Sequence, residues 1–175
     1  MTLHELFPTP VWHFPGDLAD GAYDWALEIQ KNTEGVRLSN LGGYQSKSTH
    51  DWTYMNYDQH IIKRLDSLPR FHISNWWVNI NKKGHGNFPH THPDSVLSGV
   101  WYITDNYGSI EFQHPLIHDR YGILNDMGEE TCRRFNCTAG DILVFPSDVV
   151  HQVAPHTEDN LRISVSFNMV APTPV

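Results

Sequence analysis

Apolar residues first recur with the period of an α-helix between residues 17 and 32. They fall at positions i, i+4, i+7, i+8 and i+11, as Leu18, Ala22, Trp25, Ala26 and Ile29. Residues at this spacing share one face of a helix, and Asp17 stands where an N-cap is expected. The pattern predicts an amphipathic helix over 17–32 that begins at an Asp17 cap.

A second helical pattern covers about residues 57–68. Its apolar residues Ile61, Ile62, Leu65 and Leu68 lie toward one side of such a helix. Pro69 cannot continue the helix, because proline lacks a backbone N–H and its ring clashes with the preceding turn. Both predicted helices have an apolar face, and we expect them to brace a sheet.

From Phe71 onward the pattern changes to short runs of β-branched and aromatic residues separated by turn residues. Such runs are typical of an antiparallel sandwich or barrel. The runs predict strands near 71–81, 87–91, 96–103, 108–113, 131–136, 141–145, 150–154 and 161–169. Eight strands favour a mainly β fold, a cupin-like jelly roll (double-stranded β-helix) with the N-terminal helices against it. The open mouth of a jelly roll is a place where a metal ion can bind.

The length of 175 residues fits one domain, with residues 1–70 as helical support and residues 71–170 as the jelly-roll core. A net charge of −8 argues against nucleic acid and against an anionic membrane surface as partners. The chain has no apolar run of membrane-spanning length and no signal-peptide pattern, so the expected location is cytoplasmic. Its two cysteines, Cys132 and Cys137, are too few for a disulfide framework.

Histidine is the unusual feature of the composition, because its twelve copies equal lysine and arginine combined. His90 and His92 lie two residues apart in an extended segment, where side chains at i and i+2 point to the same side. Both imidazoles can therefore approach one metal ion. His151, which follows a buried strand and a Phe-Pro stop, is the candidate for the third ligand.

Arg162 and Ser164 are also two residues apart, on the last predicted strand, and one carboxylate could be held by both. Three protein ligands on one face of iron(II) leave three positions open for substrates and oxygen. The arginine would then anchor the far end of an organic acid.

The order of these residues resembles the iron(II)- and 2-oxoglutarate-dependent dioxygenases, particularly their prolyl-hydroxylase-like branch. The resemblance covers roughly residues 76–169, from the H-x-H segment through a Gly-Asp strand to His151 and the Arg-x-Ser pair. A narrower resemblance, to an oxygenase family of marine bacteria and their phages, runs nearly end to end. It is carried by LFPTPV at 6–11, SGVWY at 98–102 and FPS at 145–147.

The resemblance implies iron(II) and 2-oxoglutarate as cofactors. It implies His90 and His151 as iron ligands, Arg162 and Ser164 as partners of the distal carboxylate of 2-oxoglutarate, and Tyr102 as a further hydroxyl donor to it. The implied reaction is the hydroxylation of a small molecule or a protein side chain by O2, while 2-oxoglutarate loses CO2 to give succinate.

The H-x-H segment can supply its two metal ligands in two registers. The wider superfamily has Asp or Glu two residues after the first histidine, which here is His92 if His90 is the first ligand. In the other register His92 comes first and Asp94 is the carboxylate. Iron(II) accepts both ligand types. Gly84-x-Gly86 before His90 resembles the glycine turn and lead-in strand of prolyl hydroxylases, which favours His90, His92 and His151 as the catalytic metal site.

Two other functions are compatible with a jelly roll that contains clustered histidines. One is a cupin-like metal protein without 2-oxoglutarate chemistry, and the other is a carbohydrate-binding module. The Arg-x-Ser pair favours the oxygenase, because a cupin has no need for an anion clamp beyond its last ligand.

The sequence also offers candidates for contacts with substrate and with a second subunit. Candidates for substrate contacts are Trp76, Trp101, Tyr121 and the loop from His114 to Glu130. Trp12 and Phe14 could form the seam of a homodimer, with packing in the core as the alternative.

Overall fold

The computed structural model describes residues 8–50, 57–68, 71–114 and 130–171. Its two helices are α1 (Ala22–Asn32) and α2 (Asp58–Arg64). The strands of these ranges are β1 (Trp12–Phe14), β2 (Asn40–Leu41), β3 (Tyr44–Gln45), β4 (His72–Asn81), β5 (Gly86–His90), β6 (Leu97–Tyr102), β7 (Ile110–Gln113), β8 (Cys132–Phe135), β9 (Ile142–Pro146), β10 (His151–Val153) and β11 (Arg162–Val170).

The strands form two antiparallel sheets. The larger has the order β1-β9-β6-β11-β4-β3 and the smaller the order β2-β5-β10-β7-β8. All eight predicted strands are present, each within two residues of its predicted bounds. The mainly β, jelly-roll prediction is therefore confirmed. Residues before position 71 also contribute the short strands β1, β2 and β3, which the sequence pattern did not predict.

The two faces of the larger sheet have different partners. On β11, the alternate residues Ile163, Val165, Phe167 and Met169 are at most 1% exposed and belong to one core cluster with residues of both helices. A second apolar cluster joins β6 and β9 to β7 of the smaller sheet. Arg162 and Ser164 point away from the helices, into a cavity of the jelly roll. The helices thus brace the sheet, as expected, and the other face is left for the site.

The start of α1 differs from the prediction. Its N-cap is Gly21, with φ 77°, and Asp17 is not the cap. A left-handed residue cannot continue an α-helix toward the N-terminus, so the helix begins only at Ala22. Leu18 nevertheless packs partly buried against the core, which explains why it extended the helical pattern.

The second helix is shorter than predicted, because α2 ends at Arg64 and residues 65–67 form a turn. On β1, Trp12 and Phe14 pack partly buried against the core, so their apolar character has a role within the chain. No helix in the described residues is long and apolar enough to cross a membrane.

A buried carboxylate, Asp141, ties the N-terminal segment to the turn before β9. It accepts hydrogen bonds from His13 Nε2 at 3.0 Å, from the Gly16 backbone N–H at 3.2 Å and from the Thr138 backbone N–H at 2.9 Å. Burial raises the pKa of Asp141, but these hydrogen bonds outweigh burial, and the pKa lies below its usual value. The ionised carboxylate therefore holds β1 beside β9.

Asp141→Asn is expected to lower the free energy of unfolding at neutral pH by about 2 kcal/mol, because one acceptor oxygen becomes an amide that faces other donors. The folded-state pKa lies below the unfolded value of about 3.9, so the carboxylate stabilises the fold above that pH. This contribution is lost as the pH falls through the folded-state pKa. Thermal unfolding followed by circular dichroism should therefore depend less steeply on pH in the variant at acid pH.

The control for this change is Asp159→Asn. Asp159 forms an exposed ion pair with Lys83, and such pairs contribute little to stability. An equal loss of stability in both variants would show that the buried hydrogen bonds of Asp141 are not the cause.

Candidate active site

Three histidines converge beside the smaller sheet. β10 pairs with β5 so that His151 lies opposite His90, and His92 follows two residues after β5 ends. The Nε2 atoms of His92 and His151 are 3.2 Å apart, and the ligand atoms of all three histidines lie within 4.8 Å of one another. The structure thus brings the H-x-H segment and the distant His151 to one point.

Backbone carbonyls orient the rings of His151 and His90, and a backbone hydrogen bond holds the segment that carries His92. Nδ1 of His151 donates to the Val149 carbonyl at 2.9 Å, and Nδ1 of His90 donates to the Phe88 carbonyl at 2.7 Å. These bonds assign the proton to Nδ1 and leave the Nε2 lone pair available. The backbone N–H of His92 donates to the Ser147 carbonyl at 2.9 Å, which fixes the segment after β5 to the end of β9.

The histidines are neutral at physiological pH. Burial, with a smaller contribution from the neighbouring imidazoles, lowers the pKa of His151 to about 3 and that of His92 to about 4. Burial also lowers the pKa of His90. Neutral imidazole is the form that binds a metal ion.

The geometry of these nitrogens suits one divalent transition metal. Two nitrogens bound at right angles to the same ion, each at about 2.1 Å, lie about 3 Å apart. The 3.2 Å between His92 Nε2 and His151 Nε2 is close to this value. Imidazole is a suitable ligand for iron(II), and three ligands on one face leave coordination positions open.

Asp94, the alternative carboxylate ligand, lies outside this cluster. It is exposed, in the turn that follows His92, with a left-handed backbone at φ 67°. Among the described residues, the candidate metal group at this site consists of His90, His92 and His151 alone.

Arg162 lies in the same cavity as the histidines and is 3% exposed. Its Nη1 donates to the Ala154 carbonyl and its Nη2 to the His85 carbonyl, both at 3.0 Å. Burial lowers the pKa of Arg162 to about 10, so the guanidinium stays charged at neutral pH. Its buried Nε has no hydrogen-bond partner in the described part of the chain. A buried N–H of this kind calls for an acceptor, and a carboxylate matches the guanidinium fork.

Ser164 and Tyr102 line the cavity next to Arg162. They lie opposite each other in the pairing of β11 with β6. Tyr102 is 4% exposed, and burial raises its pKa well above the usual value, so its hydroxyl keeps its proton. The arginine and the two hydroxyls are thus hydrogen-bond donors gathered in one cavity.

The cavity that holds both groups has a volume of about 340 Å³. Beyond the six residues named so far, its walls contain both apolar and uncharged polar side chains. The polar ones include Ser39, Gln45, Ser48, Asn79, Asn81, Asn87, Ser166 and Asn168.

Trp76 and Trp101 do not line the cavity, contrary to the expectation from sequence. They are 2% and 0% exposed and lie in the core between the larger sheet and the helices. Trp77 lines the cavity instead, and its ring centroid lies 5.4 Å from that of His92. Side chains alternate along β4, so an error of one position exchanges the two faces. Tyr121 and residues 115–129 of the predicted substrate loop lie outside the described residues.

Several cavity residues were not predicted from the sequence, although strand alternation could have found most of them. Ser166 and Asn168 continue the i+2 series of Arg162 and Ser164 along β11. Asn79 follows Trp77 in the same way on β4. Gln45 lies on a strand of two residues, which is too short to give an alternating pattern.

A second group of possible ligands consists of His13, Cys137 and Asp141. Asp141 is occupied by the hydrogen bonds described above. Burial and the nearby Asp141 raise the pKa of Cys137 to about 12, so its thiol keeps its proton. Since the thiolate is the form that binds metals, this group makes a poor metal site.

Gly86 allows β5 to lie close to β10. A Cβ atom at this position would clash with the Val153 carbonyl oxygen and would lie 3.2 Å from the carbonyl carbon of Ala154 and from the backbone nitrogen of Pro155. His90 and His151 lie on these two strands. The spacing of the histidines therefore depends on the absence of a side chain at Gly86.

Gly86→Ala is expected to destabilise the fold by about 1–3 kcal/mol and to weaken metal binding, because the two strands must move apart. Gly84→Ala is the matched control. Gly84 has φ 82°, and no atom lies within 4 Å of the place that a Cβ would occupy, so the change should cost about 1–2 kcal/mol through backbone strain alone. Thermal unfolding and metal titration measure the two effects. Equal metal affinity in the two variants would contradict the role given to Gly86.

Residues 75–168 match the model of a family described as "Putative 2OG-Fe(II) oxygenase". This range is more than half of the chain and contains the three histidines, Tyr102, Arg162 and Ser164. The chain belongs to this 2OG-Fe(II) oxygenase family. No curated protein sequence is significantly similar to the oxygenase.

Solved structures share the fold of the oxygenase at low sequence identity. HygX from Streptomyces hygroscopicus, with nickel and 2-oxoglutarate bound, is 13% identical with a TM-score of 0.67, over 94% of this chain and 84% of that chain. SnoN, an alpha ketoglutarate dependent epimerase from nogalamycin biosynthesis, is 16% identical with a TM-score of 0.69, over 94% and 80%. A prolyl hydroxylase from Trichoplax adhaerens, in complex with a hypoxia inducible factor peptide, is 13% identical with a TM-score of 0.63, over 92% and 83%.

These findings confirm the family predicted from the sequence. The oxygenase is an oxidoreductase of a family whose cofactors are iron(II) and 2-oxoglutarate. Neither a cupin-like protein without 2-oxoglutarate nor a carbohydrate-binding module accounts for this membership.

Proposed function

We propose that the oxygenase hydroxylates an organic substrate, a small molecule or a protein side chain, with O2 and 2-oxoglutarate as co-substrates. His90, His92 and His151 hold iron(II). Arg162, with Ser164 and Tyr102, binds the distal carboxylate of 2-oxoglutarate. Residues 1–175 act as one domain in this proposal, since β1, β2 and β3 join the two sheets to the N-terminal part of the chain.

One observation carries the proposal, namely that a metal-binding group and an anion-binding group share one cavity. Three neutral imidazoles direct ligand atoms to within 4.8 Å of one another, which suits a divalent cation. The buried guanidinium of Arg162 has an Nε with no hydrogen-bond partner among the described residues, which suits an anion. A metal-chelating dicarboxylate satisfies both needs at once, because one end binds the metal and the other binds the arginine.

When bound, iron(II) with 2-oxoglutarate and O2 supplies an oxidant for a C–H bond, and 2-oxoglutarate becomes succinate and CO2. The chain's own residues bind and orient the reactants. The carbonyls of Val149 and Phe88 hold the His151 and His90 rings with Nε2 directed into the site. The carbonyls of Ala154 and His85 hold the guanidinium of Arg162 in one orientation. Such fixed groups need no rearrangement during the reaction.

The test is turnover of 2-oxoglutarate to succinate in the presence of iron(II), ascorbate and a fractionated cell extract under ¹⁸O2. We expect an extract component whose product carries one ¹⁸O atom and whose formation accompanies the release of succinate. A product that has lost two hydrogens, or has changed its configuration without gaining oxygen, would contradict hydroxylation. His151→Ala should abolish formation of both products and serves as the control.

A further inference from the structure

A row of side chains crosses the larger sheet on the cavity side. Ser164 of β11 lies opposite Tyr102 of β6 and Asn79 of β4, and Asn79 in turn lies opposite Gln45 of β3. All four line the cavity. Neighbouring strands are about 4.8 Å apart, so the backbone of Gln45 lies about 10 Å from that of Ser164. Gln45 and Asn79 therefore extend the cavity away from the residues assigned to 2-oxoglutarate.

The side chain of Gln45 is held inside this extension. Its neighbour Tyr44 packs against the core on the helix side, so strand alternation directs Gln45 to the opposite face. Gln45 is 5% exposed, and its Oε1 is buried without a hydrogen-bond partner in the described residues. The Val36 N–H donates to the Gln45 carbonyl at 2.8 Å and fixes the backbone. A buried carbonyl oxygen left unpaired is unfavourable, so this oxygen calls for a donor from a ligand.

The charge of the cavity limits what such a ligand can be. Within the described part of the chain, its lining has no lysine, aspartate or glutamate, and Arg162 is the single permanently charged residue. Arg162 is already assigned to 2-oxoglutarate. An ammonium or carboxylate group of the substrate would therefore be buried without an opposite charge, which is strongly unfavourable.

We propose that Gln45 is a substrate-binding residue that accepts a hydrogen bond from a hydroxyl or amide N–H of an uncharged polar group. The proposal rests on the proposed function, because it requires the substrate to enter the cavity that contains the three histidines. Asn79 takes part as a positioning residue. Its Nδ2 donates to Ser166 Oγ at 3.0 Å, which holds the carboxamide beside Gln45.

The experiment compares probes of one skeleton and different charge. One set is methyl glucoside, glucosamine and glucuronate; the other is N-acetylprolinamide, prolinamide and N-acetylproline. Binding to the protein with iron(II) and 2-oxoglutarate is measured without oxygen by saturation-transfer NMR. We expect the neutral member of at least one set to bind tightest, and Gln45→Leu to weaken that binding about fivefold, the loss of one hydrogen bond. Gln30→Leu, on α1, is the matched control and should change nothing.

Three results would overturn the proposal: tighter binding of a charged member in both sets, no binding of either neutral probe, or equal binding by wild type and Gln45→Leu. Circular dichroism verifies that the variant is folded. Titration of iron(II) and 2-oxoglutarate separates this proposal from the proposed function. If only the Gln45 assignment fails, both cofactors still bind to wild type and to Gln45→Leu. If the proposed function fails, cofactor binding is lost while neutral probes still depend on Gln45.

Discussion

Replacement of His92 by alanine is expected to abolish iron(II) binding, with a loss in affinity of at least about 100-fold. Changes to groups that merely support a ligand already cost about 10–100-fold, and His92 is proposed as a ligand itself. Its Nε2 lies 3.2 Å from that of His151, so its removal opens one side of the candidate site. Anaerobic equilibrium dialysis with metal analysis gives the affinity directly. His90→Ala should behave in the same way.

Asp94→Ala is the matched control, because Asp94 is two residues away and belongs to the alternative ligand pair. It is exposed and lies outside the histidine cluster, so iron(II) affinity should stay at the wild-type level. His72→Ala, at the exposed start of β4, controls for the loss of any histidine. Loss of iron in Asp94→Ala with retention in His90→Ala would instead assign the His92 and Asp94 pair.

Arg162→Lys is expected to raise the dissociation constant of 2-oxoglutarate by about 100-fold while leaving iron(II) affinity unchanged. Lysine keeps the charge but cannot bond two backbone carbonyls and a carboxylate with one planar fork. Two of the five guanidinium N–H groups are already used by Ala154 and His85, and the rest remain for the ligand. Isothermal titration of 2-oxoglutarate into the iron(II) form, without oxygen, measures the change.

Two further variants serve as comparisons for Arg162→Lys. Ser164→Ala removes one hydroxyl donor and should raise the dissociation constant by about tenfold, as expected for one hydrogen bond to a charged group. Arg133→Lys changes an exposed arginine of β8 and should have no effect. Unchanged 2-oxoglutarate affinity in folded Arg162→Lys would contradict the assignment of Arg162.

The longest strands of the fold were predictable from their own residue patterns. β4 and β11 have ten and nine residues, and their bounds were predicted within one residue. β2 and β3 have two residues each and are defined by their pairing with β5 and β4. Such pairing is tertiary information, which local periodicity does not contain.

The start of α1 could not be predicted for a different reason. Asp17 is a good capping residue and Leu18 falls on the apolar face, so both extend the helical pattern. The residue that sets the start of the helix is Gly21, because its left-handed backbone prevents the helix from beginning before Ala22. Local preference favoured Asp17, but the tertiary structure uses the glycine, because Leu18 reaches the core without being helical.

In the site, sequence spacing was informative where residues share one strand or segment. His90 with His92, and Arg162 with Ser164, are i+2 pairs, so their common direction follows from an extended backbone. The sequence did not show which face of β4 lines the cavity. Trp76 was predicted to contact substrate, but the structure places Trp77 in the cavity wall and Trp76 in the core. The position of Gln45 depends on β3 joining the edge of the larger sheet, which only the structure reveals.

The proposed function requires that one cavity holds iron(II) on three histidines and 2-oxoglutarate between that metal and Arg162. The most direct measurement is anaerobic reconstitution with iron(II), followed by addition of 2-oxoglutarate and recording of the visible absorption spectrum. We expect a weak charge-transfer band that is absent in His92→Ala and is lost in Arg162→Ala at the same 2-oxoglutarate concentration. Wild-type protein that binds iron(II) but gives no band with 2-oxoglutarate would contradict the proposed function.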